Sequence, residues 1–331
     1  MADTMTPPPY ARPFLATIGW ENADILPLAG DASFRRYFRV QNAHVCAVLM
    51  DAPPPYEDPR PFIQIAEWLT AKGFAAPKII AQDVNVGLVL LEDFGDVRMR
   101  EALDADPARE ADLYREVVTL LVDLHSRPPP ELPVYDNAVY HREVSLFTEW
   151  YCPALGLAVD QVAFQSAWDE VLPLVEEVTH PVMVLRDYHA ENIMLIAEPN
   201  HKTRLGLLDF QDALVGHPAY DLVSLLQDAR RNVAQELEAA MLAYYKISAT
   251  HALNFDAAYA ILGAQRNTKI LGIFTRLWKR DNKPHYRHFQ PRVWRYLERN
   301  LAHPALAPVK AWFNANVPQE ARADAWISYV D

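Results

Sequence analysis

The apolar residues of this 331-residue chain change their period along the sequence, and that change limits the available folds more than any single residue does. Over roughly the first ninety residues they come in short runs bounded by turn formers, at 25–28, 34–40, 44–50 and 88–91. Such runs read as strands of an antiparallel sheet. One helix lies among them, with Asp58 as N-cap, Pro59 in the first turn, Phe62, Ile65, Ala66 and Leu69 at helical spacing, and Gly73 as its stop. From about Asp106 the period becomes that of a helix: Leu113, Val117, Leu120, Leu121 and Leu124 form one stripe, ended by prolines between 127 and 133. Further helical patterns cover 142–151, 160–178, 220–230, 233–247, 255–279 and 291–301. Only 193–197 and 205–208 interrupt them, two short apolar runs that read as a hairpin inside a helical region. The expected class is α+β in two lobes, 1–92 being strands plus one helix and 93–331 mainly helical around that hairpin.

Composition narrows the function classes. With 31 Lys+Arg against 43 Asp+Glu the formal charge is −12, which argues against a general nucleic-acid binder. The first ten residues lack an apolar signal core, and no window of about 18 residues is free of charge, so neither secretion nor membrane spanning is expected. Cys46 and Cys152 lack paired spacing, which supports neither a disulfide framework nor a zinc site. A reducing cytoplasm is the simplest compartment.

The chemistry gathers around the hairpin. Before its first strand stands Arg186-Asp187-Tyr188-His189-Ala190-Glu191-Asn192, and after its second Leu208-Asp209-Phe210-Gln211-Asp212. Phosphoryl transfer needs Mg²⁺ on oxygen ligands beside the phosphates and a carboxylate that takes the acceptor's proton. Asp187 fits the base; Asn192 and Asp209 fit the metal. The D-x-x-x-x-N spacing, followed by a hairpin and D-F, resembles the catalytic segments of protein-kinase-like phosphotransferases.

More narrowly, the chain resembles the aminoglycoside phosphotransferase branch of that fold, and within it the bacterial anomeric kinases of N-acetylmuramate and N-acetylglucosamine. The resemblance runs through the segments 30–40, 50–54, 91–96, 220–226 and 265–281. It implies a bilobal fold, ATP and Mg²⁺ as cofactors, a small sugar acceptor phosphorylated at C1 during cell-wall recycling, and no nucleic-acid or membrane partner. It also implies that Asp221 steadies the catalytic loop, where a helix-capping role is equally compatible, and that His189 supports the same loop. An aminoglycoside, choline or another small alcohol remains open as acceptor, as does a nucleotide-binding pseudokinase.

Three departures bear on that last alternative. The strand 44–50 ends in Met50 where a phosphate-binding lysine is usual, and a thioether carries no charge. Arg35, Arg36 and Arg39 in the preceding strand are substitutes, Arg36 being favoured, and Ser33 with the backbone of its turn is expected to touch the phosphates. Leu185 replaces a customary loop histidine, and the usual helix glutamate has no lysine to pair with. Adenine is expected at 91–95, with Glu92 and Phe94 as hinge positions.

Charge distribution points to the acceptor. Residues 251–331 hold 12 Lys/Arg and 6 Asp/Glu, a net of +6 that leaves −18 for residues 1–250. Arg266, Lys269, Arg276, Lys279 and Arg280 cluster in one helix, and Arg266, Arg276 and Arg280 are candidates to hold an acidic acceptor such as a muramyl lactyl ether.

Overall fold

Alternation along 24–51 produces strands β1 (Asp24–Gly30), β2 (Arg36–Asn42) and β3 (Val45–Asp51), joined by β4 (Ile79–Asp83) and β5 (Leu88–Glu92) in an antiparallel sheet of order β1-β2-β3-β5-β4. This computed structural model describes residues 5–30, 34–43, 45–176, 178, 180–197, 203–249 and 254–329. Phe38 and Val40 of β2, Ala47 and Leu49 of β3, and Leu88 and Leu90 of β5 turn to one face and bury Phe14 and Leu15 of α1 (Ala11–Ala16). Strand β4 was not expected, its run 79–83 mixing apolar with polar residues, and β2 begins at Arg36, after Phe34.

Helix α2 (Arg60–Ala71) follows the expected spacing, but its start differs. Asp58 lies ahead of the helix, its carboxylate accepting the Arg60 N–H at 3.0 Å and holding the Arg60 guanidinium, while Pro59 occupies the cap. Gly73 ends the helix with φ +90°, a backbone that favours glycine. The hairpin forms as expected, from β7 (Ile193–Ala197) and β8 (Thr203–Leu207). It belongs with the sheet to one compact unit, Met1–Ala105 plus Glu191–Asp212.

The second unit comprises Asp106–Ala190 and Ala213–Asp331. Here a short pair, β6 (Val182–Val184) with β9 (Leu214–Gly216), stands among helices. Beyond α3 (Met99–Ala105) of the first unit, the longer helices are α4 (Glu110–His125), α5 (Asn137–Leu146), α6 (Gln161–Asp169), α7 (Ala219–Leu226), α8 (Gln235–Ser248), α9 (Phe255–Lys279), α10 (Gln290–Leu301) and α11 (Ala307–Asn316). The expected helix at 160–178 breaks near Pro173, as a residue without a backbone donor dictates.

Helix α9 is buried on nearly every side, Gln265, Arg266 and Asn267 included, as a helix at the centre of its unit must be. It lies so close to the end of α5 that a Cβ on Gly272 would stand 2.4 Å from the Leu146 backbone. After α5 the chain makes a π-helical turn, Phe147–Tyr151. That turn sends Tyr151 into an aromatic core, where its hydroxyl accepts from the indole N–H groups of Trp294 and Trp326 at 2.7 Å each.

Candidate active site

Because side chains alternate, the sheet face opposite α1 carries Tyr37, Arg39, Val48 and Leu91. Tyr37, Val48 and Leu91 line a cavity of about 300 Å³ together with Phe94, Asn192 and Asp209. Its walls mix apolar side chains, Val48, Leu91 and Met194 among them, with the polar Glu92, Glu191, Asn192 and Asp209, a lining that suits a ligand with a flat apolar part and a charged part. Arg39 fixes the segment after β5: Nε donates to Asp93 Oδ2 at 2.7 Å and Nη2 to Asp96 Oδ1 at 2.8 Å. These two carboxylates hold the guanidinium well above its ordinary pKa. Glu92 is turned toward Lys78, whose backbone N–H it accepts at 3.3 Å. Phe94 lies over Gly206 of β8, where a Cβ would come within 2.7 Å of two ring carbons.

The hairpin register places Asn192 beside Asp209. Ile193 pairs with Leu207, the Leu208 N–H donates to the Asn192 carbonyl at 3.0 Å, and Asn192 Nδ2 stands 3.3 Å from Asp209 Oδ2. Asp209 adopts φ +58°, and the adjoining Phe210 is buried in a stack on Phe62 of α2 with centroids 4.9 Å apart. With the Asn192 amide turned so that Oδ1 rather than Nδ2 faces a cation, it and the Asp209 carboxylate form a hard-oxygen pair. It fits Mg²⁺, which takes few protein ligands and keeps waters and phosphate oxygens in its other positions.

Of the residues expected near phosphate, Ser33 lies outside the described residues. Arg36 donates to Asp51 Oδ2 through Nε at 2.9 Å and Nη2 at 2.5 Å, whereas Arg35 Nη2 reaches 3.8 Å from Asp209 Oδ1.

In the second unit, Asp221 of α7 is fully buried and accepts two backbone donors, Leu185 N–H at 2.8 Å and Arg186 N–H at 2.9 Å. This holds Arg186 at φ +69° and presents the Asp187 side chain, which is 44% exposed. Burial works against the Asp187 charge, but Lys269, Arg266, His189 and Arg186 outweigh it and hold the carboxyl below the usual range. Arg266 Nη2 donates to Ser224 Oγ at 2.9 Å and stands 3.7 Å from Asp187 Oδ1. The residue is only 5% exposed, yet its Nη1 has no hydrogen-bond partner among the described residues. His189 is buried, with its Nε2 at 3.4 Å from Arg230 Nη1; burial and the neighbouring arginines keep it below its ordinary pKa against Asp228 and Asp187.

The hub of this region is a residue that the sequence did not single out for its charge. Glu143 of α5 accepts from Lys269 Nζ at 2.9 Å, Gln265 Nε2 at 3.0 Å, the Tyr135 hydroxyl and the Arg186 guanidinium. Burial raises its pKa, but Lys269 and Arg186 prevail and bring it to about 2. Its signal was a lone carboxylate on the helix face shared by Tyr140, Val144 and Phe147, all buried. Arg276 is half-buried, while Arg280 is exposed and paired with Asp281 at 2.7 Å. Along the axis of α9, Arg276 lies about 15 Å from Arg266, so these residues are not gathered at one point.

The Phosphotransferase enzyme family model matches residues 24–256. A protein of Caulobacter vibrioides named N-acetylmuramate/N-acetylglucosamine kinase is 37% identical over 93% of this chain and 96% of its own. A Pseudomonas aeruginosa protein of the same name is 37% identical over 92% and 93%, and one from Neisseria meningitidis 34% over 87% and 89%. Among solved structures, choline kinase LicA from Streptococcus pneumoniae superposes with a TM-score of 0.61 at 13% identity, covering 88% of this chain and 96% of that one. The gentamicin-APH(2")-IIa complex gives 0.60 at 14% identity, over 91% and 99%. The fold is thus protein-kinase-like, and the chain belongs to the phosphotransferase enzyme family.

Proposed function

We propose that this protein is an ATP-dependent kinase that phosphorylates the anomeric hydroxyl of N-acetylmuramate and N-acetylglucosamine, acting in the cytoplasm in cell-wall recycling. The names of its relatives support the acceptor. The observation that carries the reading from this chain's own residues is the cationic setting of Asp187, with Arg186, Arg266 and Lys269 around it. A polycationic aminoglycoside or a choline would be repelled there, whereas a sugar acid would be held.

In this reading the cavity with Phe94 and Glu92 at its hinge takes the adenine against its apolar side chains. Asp187 accepts the acceptor's proton. Its cations keep it ionised at neutral pH and make it a weak base, which suits a hemiacetal hydroxyl, more acidic than an ordinary alcohol. Mg²⁺ held by Asn192 and Asp209 supplies charge neutralisation at the phosphates when bound. Arg266 offers its Nη1 to an oxygen of the sugar, Arg276 further along α9 and Arg280 just past its end lie toward an acidic substituent, and Asp221 and His189 hold the loop.

The test is ADP release with Mg·ATP and, separately, N-acetylmuramate, N-acetylglucosamine, kanamycin and choline, followed by phosphorus NMR of the product. A sugar 1-phosphate is expected from the first two. Turnover of kanamycin or choline alone would replace the acceptor, and ATP binding without turnover of any would return the pseudokinase.

A further inference from the structure

A polyphosphate bound at the sheet needs a fixed cation beside it. The end of β3 offers Met50, buried and uncharged. Three arginines follow the β1–β2 turn, and the fold gives each a different neighbourhood. Arg36 stands opposite Asp51 in the ladder, is bound by that carboxylate, and lies over the ring of Phe38 at 5.7 Å, on the α1 side of the sheet. Arg39 is clasped by Asp93 and Asp96. Arg35 goes elsewhere. Its side chain is 9% exposed, and Nη2 lies 3.8 Å from Asp209 Oδ1, the carboxylate paired with Asn192.

A guanidinium buried to this degree stays charged only with compensation. The carboxylates of Asp209, Glu57 and Asp212 provide it. Three carboxylates around one arginine leave a local negative excess, which a divalent cation at Asp209 would cancel, and a phosphate chain drawn to that cation comes within reach of any side chain that already reaches Asp209. We propose that Arg35, rather than Arg36, supplies the phosphate-binding charge that Met50 lacks, contacting the terminal phosphates of a nucleoside di- or triphosphate. The inference rests on the nucleotide reading above. In this assignment Arg35 meets the nucleotide at its phosphates, so its loss is felt by ADP and not by adenosine.

Isothermal titration of the full chain in Mg²⁺ with ADP and with adenosine measures that difference without turnover. The ratio of the two dissociation constants is expected to shrink about tenfold or more in Arg35→Gln, from the loss of a charge-assisted hydrogen bond, with adenosine affinity unchanged. Arg35→Lys is expected to fall between, because it keeps charge and loses the planar fork. If Arg35→Gln no longer binds adenosine, Arg35→Lys and Arg35→Met decide the matter. A graded loss from Arg through Lys to Met supports the assignment, and equal ratios overturn it. A ratio that collapses in Arg36→Gln and holds in the Arg35 variants overturns it as well. Failure of the unsubstituted chain to bind either compound would remove the nucleotide reading itself, and this inference with it.

Discussion

The two compact units handle charge in opposite ways. In the sheet unit, Arg36 answers Asp51 on one face and Arg39 answers Asp93 and Asp96 on the other, so that these charges hold the backbone in shape. In the helical unit a single carboxylate, Glu143, is shared by Arg186 and Lys269, and Arg266 stands beside Asp187 in addition. Shape therefore dominates where the ligand is expected to be common to the whole family. In the proposed reading, surplus charge appears where the acceptor binds. Kinase-like chains acting on cations and on sugar acids can share the first arrangement and diverge in the second.

The sharpest way to break this comparison is Asp187→Asn. Turnover is expected to fall by roughly 10²–10⁴-fold while ADP affinity stays within about twofold, because proton acceptance is lost and the sheet unit is untouched. A substantial residual rate would show that Asp187 is not the base. Asp209→Asn tests the other unit, since asparagine tolerates the left-handed backbone at this position. It is expected to abolish most activity and to raise the Mg²⁺ concentration needed for half-maximal rate; an unaltered Mg²⁺ titration would exclude Asp209 as a ligand.

Glu143→Ala leaves the partly buried Arg186 and Lys269 without their shared partner, and about 2–4 kcal/mol of stability should be lost in urea unfolding. A loss below about 1 kcal/mol would mean that the hub is not the organising charge of the helical unit. The pH dependence of stability sharpens the same point. His217, which accepts the Ala219 N–H at the start of α7, is moved from 6.5 to about 4 by burial and by His125. It is neutral in the fold while the unfolded chain takes up a proton, so stability should decline as pH falls from about 6.5 to about 4. Glu143, lowered from 4.5 to about 2, contributes fully above pH 4.5 and loses its contribution between about 4.5 and 2. His217→Asn, which retains an acceptor for the cap, should flatten the upper limb; an unchanged decline there would assign it to other groups. The smallest effect belongs to Arg280→Gln: the exposed pair with Asp281 should be worth no more than about 0.5 kcal/mol, and a larger change in unfolding would contradict its placement.

Strands β1, β2, β3 and β5 and the hairpin were legible from their short apolar runs, α2 from its apolar stripe and the glycine after it, and α9 from the length of its helical pattern, whereas β4 mixes apolar with polar residues and was missed. The hairpin also made the neighbourhood of Asn192 and Asp209 legible, since a ladder brings its two flanks together whatever the side chains. Choosing among Arg35, Arg36 and Arg39 was not possible in the same way. Alternation separates Arg36 from the others, but which face is occupied depends on Asp51 lying opposite Arg36, a matter of register between strands. Glu143 was missed for a related reason: its partners Arg186 and Lys269 lie 43 and 126 residues away, and only packing on α9 unites them. Helix α7 ends at Leu226, short of the expected Arg230, because the next residues turn their side chains into polar contacts, Gln227 with Asn300 and Asp228 with the Arg230 N–H.

At position 185 the fold uses the main chain. Leu185 donates its N–H to Asp221 and buries its side chain, so any apolar residue of similar volume serves there as well. Kinase-like sequences can therefore drift away from histidine at this point without disturbing the loop that presents Asp187. Searches keyed to that histidine would pass over such chains, whereas the buried aspartate 36 residues downstream, which receives the bond, marks them.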